Sequence, residues 1–382
     1  MHLAAPVHAR AATTDGHPSN QALLAELARR YAHDYDPQSA TYDFIELGLA
    51  AGLKVGMTLE YTVKRIKPNY YLGSGQVEEV TGCVRGQRLD LVAISAPLSP
   101  VHQRNWEAKL KLPVLNRYDL IFAIFEQNAH TAEGKLQVEL ARLRYELPRI
   151  VRSYEQLDPL AGGIGTLGPG EQLTERIKRR HRRRIHEIEQ RIDKLRTQRA
   201  LRRRRRSRSG LFIASIVGYT NVGKSTLLNR LTGSGVLTAD RYFATLDPTA
   251  RALRLPSGSK LLLTDTVGFL DDLPAELVQS FQATLEEMEG AHLLIHLADA
   301  SHSRVDQQIE AVRKIVNEIG LGETPELLVF NKCDRCPAEL RAELAARYPQ
   351  GLFLSAISGE GVAALLSELA HSEASQTSLL RT

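Results

Sequence analysis

Apolar positions along the chain recur in three different rhythms. From about residue 21 to 130, strand-like runs such as "DLVAISA" (90–96) and "YDLIFAIFE" (118–126) alternate with helix-like stretches such as "NQALLAELARRYAHDY" (20–35). That alternation predicts a small N-terminal α/β domain. In 131–209 the rhythm is helical: Leu136, Leu140, Leu143 and Leu147 recur at 4-3-4 spacing, and Ile185, Ile188, Ile192 and Leu195 at 3-4-3. Each set is one apolar seam. Neither seam is stable alone in water, so an antiparallel helical hairpin burying both is expected, its first helix ending at Pro148. From 210 to 370, apolar runs alternate with amphipathic helices, the pattern of a mostly parallel sheet covered on both faces. The whole reads as an α/β protein of three parts. Residues 1–20 lack the apolar core of a signal peptide and are expected to be a disordered leader. The short polar tail 371–382 is expected to fray.

Between the two helical seams lies "GGIGTLGPGE" (162–171), whose glycines and proline break regular structure. It reads as an exposed, flexible loop; no convincing strand leads into it, as a phosphate-binding loop would require.

Composition narrows the class. Hydrophobic content of 43% and charged content of 24% fit a soluble protein, and no run approaches the roughly 18–20 apolar residues that span a bilayer. Three cysteines in 382 residues argue against a disulfide framework and for a reducing, cytoplasmic setting. Cys333 and Cys336 have CxxC spacing, but no second pair completes a zinc site. Charge is more telling. Residues 172–208 hold 17 Lys and Arg against 4 Asp and Glu, a local net of +13; with +5 for the whole chain, the remainder carries −8. Five adjacent arginines in "LRRRRRSRSG" (201–210) would surround a helix and repel one another unless phosphates neutralise them. Arginine's planar fork suits such contacts, so RNA is the expected partner, a merely solvated face being the alternative. No aromatic residue is interleaved, so base stacking by this run is not expected.

The third part carries the chemistry. In "FIASIVGYTNVGKSTLLNRL" a buried-strand run leads through a glycine turn into a helix, and residues 218–225 match G-x-x-x-x-G-K-[ST] in that context. Gly218 and Gly223 let the backbone of Tyr219, Thr220, Asn221 and Val222 curl so that N–H groups face phosphates. Lys224 supplies charge to the β- and γ-phosphates, and the Ser225 hydroxyl ligates Mg²⁺. "LLLTDTVG" ends at Asp265, which can hold Mg²⁺ through a water; Thr266 and Val267 lead to Gly268, whose N–H can touch the γ-phosphate. In the stretch spanning Phe243, Ala244, Thr245, Leu246 and Asp247, Thr245 is expected to complete the Mg²⁺ shell, with Thr249 as a lesser candidate. "LLVFNKCD" ends in Asn331, Lys332, Cys333 and Asp334. The Asp334 carboxylate can accept from guanine N1–H and the N2 amino group, which adenine lacks, and the Lys332 stem can cover the base. "LFLSAIS" brings Ser355, Ala356 and Ile357, whose backbone can read guanine O6. Four such signatures in order, each after an apolar strand, predict a GTP- and GDP-binding site at the carboxyl ends of the strands. Lys224, Thr245 and Gly268 are the expected catalytic groups.

With these residues in view, the sequence resembles the HflX family of ribosome-associated GTPases over about residues 40–370. The resemblance rests on "YLGSGQVEEV" (71–80), "LSPVHQRNWE" (98–107), "EGKLQVELARLRYELPR" (133–149), "GGIGTLGPGE" (162–171) and "FATLDPT" (243–249). It implies an N-terminal α/β domain, a helical hairpin and a Ras-like G domain. It also implies binding to the large ribosomal subunit and its RNA, GTP hydrolysis stimulated there, and splitting or rescue of ribosomes under stress. Carried over by position, Ser225 and Thr245 are the Mg²⁺ ligands. Departures are specific. The family's "GSGK" stands here as Gly73-Ser74-Gly75-Gln76, and Asn116 and Asn128 occupy places where an aspartate and an arginine are expected. Some members are also similar to ATPases through their N-terminal domain; with those charges missing, that activity is not expected here.

In many phosphate-sensing turns a glutamine follows the glycine and orients the attacking water; here Phe269 stands in that place. Phosphoryl transfer depends mainly on positioning and charge, so hydrolysis should be slow alone and accelerated in trans. Asn221 matches the position that binds a potassium ion in some similar GTPases; bracing the turn is the other reading. A monomer is expected, without stable membrane insertion. The alternative function is a GTP-switched adaptor whose basic helix binds an acidic protein or, peripherally, an anionic membrane surface.

Overall fold

The computed structural model describes residues 21–29, 37–87, 89–155, 169–207, 211–233, 249–266, 268, 276–277, 288 and 290–379. Two compact units divide the chain near residue 125.

The first unit is a four-stranded parallel sheet flanked by helices. Its strands β1 (Gln21–Arg29), β2 (Lys54–Val63), β3 (Leu91–Ile94) and β4 (Val114–Asn116) stand in the order β2-β1-β3-β4. Helices α1 (Pro37–Ala50), α2 (Ser74–Arg85) and α3 (Pro100–Leu110) connect them. Two sequence expectations fail here. The helix expected over 20–35 is strand β1 across Gln21–Arg29. Its Ala-, Leu- and Glu-rich composition favours a helix, but pairing with β2 on one side and β3 on the other satisfies its backbone on both edges and overrides propensity. The strand expected over 118–126 is instead helix α4 (Arg117–Asn128). The Asn116 Oδ1 accepts from the N–H groups of Tyr118 and Asp119, and Asp119 Oδ2 accepts from the Asn116 N–H. That reciprocal cap starts a helix, and the asparagine performs it without the charge of the expected aspartate. Gln76, standing where a lysine was expected, turns back so that its Oε1 accepts from the Gly73 N–H at 3.2 Å and serves the start of α2.

In the second unit, α5 (Ala132–Glu155) and α6 (Pro169–Ser207) face one another. Leu136, Leu140, Ile188 and Ile192 are buried together, with Leu143, Ile185 and Leu195 packed against them. Cross-helix ion pairs flank the seam: Arg184 to Glu139 at 2.6 Å and Arg144 to Glu189 at 2.7 Å. Helix α5 does not end at Pro148 but runs through it to Glu155. Proline has a helical φ, and here it sits on the exposed face, where it disturbs the helix without touching the seam. Helix α6 begins at Pro169, inside the stretch expected to be loop; residues 162–168 lie outside the described residues.

The remainder of this unit is a six-stranded sheet of order β10-β9-β8-β5-β7-β6. Its strands are β5 (Phe212–Gly218), β6 (Thr249–Arg254), β7 (Lys260–Asp265), β8 (Leu293–Asp299), β9 (Glu326–Asn331) and β10 (Leu352–Phe353), all parallel except β6 against β7. Helices α7 (Lys224–Thr232), α8 (Val305–Glu318) and α9 (Ala338–Arg347) lie between strands, and α10 (Val362–Leu379) follows the last. Ile216, Leu263, Ile295 and Val329, one from each of four central strands, are fully buried. The parallel strands β5, β7, β8 and β9 end at Gly218, Asp265, Asp299 and Asn331, within a few residues of one another at the carboxyl side of the sheet. The tail expected to fray from 371 is helical to Leu379, and Ser259 Oγ donates to Glu373 Oε2 at 3.1 Å, docking this helix on the β6–β7 turn.

Candidate nucleotide site

The glycine turn after β5 is built for close approach. Gly218 has φ 154, and a Cβ there would lie 2.2 Å from the Leu297 carbonyl oxygen of the neighbouring strand. Gly223 has φ 93, and a Cβ there would meet the Asn331 amide nitrogen at 2.4 Å. Neither position admits a side chain. Asn221 takes φ 61, a left-handed conformation that asparagine tolerates, so the turn itself accounts for an asparagine here.

Lys224 opens α7 and is 7% exposed. Its Nζ donates to the carbonyls of Gly218 at 3.0 Å and Tyr219 at 2.7 Å, folding the side chain back over the turn. Burial pushes its ammonium down to about 8, with the Asp265 carboxylate pulling the other way. The Ser225 Oγ donates to Asp265 Oδ2 at 2.8 Å, and Asp265 itself is buried. A hydroxyl and a carboxylate in contact, both hard oxygen donors beside a phosphate turn, fit a magnesium ion. Gly268 lies against the same turn, because a Cβ there would fall 2.9 Å from Lys224 Nζ and 2.9 Å from Thr220 Cγ2. Thr266 is turned inward, its Oγ1 donating to the Ile216 carbonyl at 2.7 Å. Phe243, Ala244, Thr245, Leu246, Asp247, Val267 and Phe269 lie outside the described residues, as does the side chain of Thr249.

On the base side, Asn331 is a bridge. Its Nδ2 donates to the Val222 carbonyl at 2.7 Å, and its Oδ1 accepts from the Ala356 N–H at 2.9 Å. One buried amide thus ties the phosphate turn to the last loop. Lys332 sits at φ 61, and its Nζ pairs with Asp299 Oδ2 at 2.8 Å. Asp334, in the short turn Cys333–Arg335, is exposed, so its carboxylate is available to a ligand; Cys333 is buried. The N–H groups of Ser355 and Ala356, expected to read guanine O6, are both donated within the protein, to the Glu360 carbonyl and to Asn331. Among the described residues no hydrogen bond uses the N–H of Ile357, which leaves that donor for the base.

Two contributors escaped the sequence reading. Asp299 holds Lys332 with one oxygen and accepts from the N–H and hydroxyl of Ser301 with the other. Its place at the end of "LLIHLAD", on the same sheet edge as Asp265 and Asn331, was a readable signal. Arg230 of α7 donates to the Ser358 carbonyl at 2.7 Å and packs on Gly359; nothing local in the sequence announced it.

A six-stranded sheet with a phosphate turn, a lysine, a serine–aspartate pair and an N-K-x-D turn at its carboxyl edge defines a P-loop GTPase. Family models agree along the chain: "GTP-binding GTPase N-terminal" matches residues 39–126, "GTP-binding GTPase Middle Region" 128–206 and "50S ribosome-binding GTPase" 213–332. The GTPase HflX of Magnetococcus marinus is 42% identical over 355 residues, covering 92% of this chain and 82% of that protein. The GTPase HflX of Escherichia coli is 40% identical over 353 residues, covering 91% and 82%. A GTP-binding protein from Sulfolobus solfataricus, solved in complex with GDP, shares the fold, with TM-score 0.51 and 23% identity over 94% of this chain and 99% of that one. This chain belongs to the HflX family of GTPases.

Proposed function

We propose that this GTPase acts on the large ribosomal subunit, its basic hairpin lying against ribosomal RNA while GTP hydrolysis times release, in the service of splitting or rescuing ribosomes. The observation that carries the RNA contact is on α6. Arg176, Arg180, Arg182, Arg183, Arg191 and Lys194 are exposed there, and no described ion pair engages them. Unneutralised cations at that density on one helix suit a phosphate backbone. The match of residues 213–332 to a family of 50S ribosome-binding GTPases supports the same partner.

Within the site, Lys224 would bind the β- and γ-phosphates, and the Gly268 N–H the γ-phosphate. Ser225, Thr245 and, through a water, Asp265 would hold magnesium, which when bound neutralises charge building on the phosphate oxygens. Asp334 would select guanine, with the stem of Lys332 covering the base. Phe269 can orient no water, so the rate depends on what the ribosome supplies. A potassium ion near Asn221 is tested by comparing rates in sodium and potassium; equal rates remove it.

Co-sedimentation of the full chain with purified ribosomal subunits tests the reading. Binding to the large subunit is expected with a non-hydrolysable GTP analogue and should fade with GDP. Nucleotide-independent binding, or binding to anionic vesicles in place of subunits, would favour the adaptor alternative.

A further inference from the structure

The phosphate turn buries a hydroxyl that nothing in the protein satisfies. Thr220 is 5% exposed, and among the described residues its Oγ1 has no hydrogen-bond partner. A threonine hydroxyl can donate one hydrogen bond and accept others, so leaving it bare in a buried place costs stability that a valine of the same shape would not. The other hydroxyls nearby are engaged. Ser225 Oγ donates to Asp265 Oδ2 at 2.8 Å, Thr266 Oγ1 donates to the Ile216 carbonyl at 2.7 Å, and the Ser215 and Thr264 hydroxyls bond each other at 2.7 Å. Thr220 is the exception among them.

Its place is fixed from both sides. Just before it in the chain, the carbonyls of Gly218 and Tyr219 accept from Lys224 Nζ at 3.0 and 2.7 Å. Against it lies Gly268: a Cβ on that glycine would fall 2.9 Å from Thr220 Cγ2, 3.0 Å from Thr220 Cα and 2.9 Å from Lys224 Nζ. The Thr220 side chain, the Lys224 ammonium and the Gly268 backbone therefore meet at one point, and the last two are the groups assigned to the γ-phosphate. Both of those can only donate. A water attacking phosphorus must keep a lone pair toward it, and so needs an acceptor for its hydrogens. An ammonium and an N–H cannot accept, and Phe269 brings no polar side-chain atom at the next position. The Thr220 oxygen can accept.

We infer that the Thr220 hydroxyl holds the attacking water, performing from the phosphate turn part of the work that a glutamine after Gly268 would do. Its oxygen accepts one hydrogen of the water and keeps its own proton throughout. The water oxygen bonds to the γ-phosphorus as the bond from that phosphorus to the β–γ bridging oxygen breaks, its electron pair leaving with GDP; the water's proton passes to the released phosphate. One neutral hydrogen bond is a modest aid, in keeping with slow hydrolysis by the chain alone. The inference rests on the assignment of Lys224 and Gly268 to the γ-phosphate.

Single-turnover hydrolysis by the full chain with GTP and magnesium, in the absence of ribosomes, tests this. Thr220→Val removes the hydroxyl and keeps the shape. Its rate should fall about 3- to 10-fold, the worth of one neutral hydrogen bond. Affinity for GDP and for a non-hydrolysable GTP analogue should stay within about twofold, because the bond to water is made on the way to the transition state and not to the bound nucleotide. The melting temperature should hold or rise, since a buried unpaired hydroxyl has gone. Thr220→Ser keeps the hydroxyl and should hydrolyse within about twofold of the wild-type chain. A threonine kept only for packing would give the reverse order, with the valine variant fully active. A wild-type rate in Thr220→Val, an equal loss in Thr220→Ser, or a rate loss matched by a loss of nucleotide affinity overturns the inference. Failure of the underlying site assignment looks different: Lys224→Ala would then bind and hydrolyse GTP like the wild-type chain, whatever the Thr220 variants do.

Discussion

The buried ammonium of Lys224 should make nucleotide binding a proton-linked event. In the protein alone, burial holds that group at about 8, against 10.5 for an exposed lysine. Among the described residues its hydrogen bonds are to two neutral carbonyls, which replace its hydration poorly. A phosphate at the same place returns the ammonium to full charge, so binding must take up whatever protons the free lysine has released. With a midpoint near 8, uptake is about 0.1 proton at pH 7, half a proton at pH 8 and about 0.9 at pH 9. Affinity for GDP should accordingly weaken about tenfold between pH 7 and pH 9. The same depression bears on folding. The unfolded chain holds the proton more tightly between about pH 8 and 10.5, so the nucleotide-free protein gains stability across that window as pH rises, by an amount on the order of 3 kcal/mol. Titration calorimetry with GDP and magnesium in two buffers of different ionisation enthalpy at pH 8 measures the uptake directly. The terminal phosphate is already ionised at that pH and guanine N1 still protonated, so Lys224 is the group that answers. Uptake indistinguishable from zero would refute the proton linkage of Lys224.

Two further predictions probe the base side. Asp334→Asn should shift preference from GTP toward XTP, because the amide can donate to the xanthine carbonyl; competition of labelled GDP by XDP reads this out, and unchanged guanine selectivity would remove Asp334 from the base site. Asn331→Ala leaves the Val222 carbonyl and Ala356 N–H without their partner, at about 1–3 kcal/mol for each unsatisfied group. GDP dissociation followed by a fluorescent analogue should therefore accelerate by tenfold or more, although this side chain bonds the protein rather than the base.

Legibility in the sequence followed the length scale of the interaction. The hairpin seam was readable because Leu136, Leu140, Leu143, Ile185, Ile188, Ile192 and Leu195 repeat with the helical period, and a period needs only one chain segment to reveal itself. The strands ending in Gly218, Asp265 and Asn331 were readable from apolar runs closed by recognisable turns. What failed was decided elsewhere in the fold. Gln21–Arg29 is a strand because two neighbours pair with it, not because its residues prefer to be one. Residues 118–126 could serve as strand or helix until Asn116 and Asp119 capped them. In the site, the motifs told which residues gather but not what each touches: Asn331 reached the phosphate turn, and Asp299 and Arg230 entered through partners 33 and 128 residues away in the chain.

Those contacts explain how a site lacking the water-orienting glutamine can still be a sound GTPase. The base side is held from three directions. Asn331 joins the phosphate turn to the loop at Ala356, Asp299 fixes Lys332, and Arg230 fixes the carbonyl of Ser358. Pre-organisation of that kind lowers the ordering cost of binding and contributes to affinity for GTP and GDP alike. It does little for the chemical step, because interactions equal in ground and transition states leave the rate unchanged. Of the residues proposed to meet the phosphates, those that could distinguish the two states are few: Lys224, the Gly268 backbone and Thr245, with the Phe269 side chain offering no polar group. Tight binding combined with a weak intrinsic rate is what a timer requires, since the bound state then persists until a partner completes the constellation.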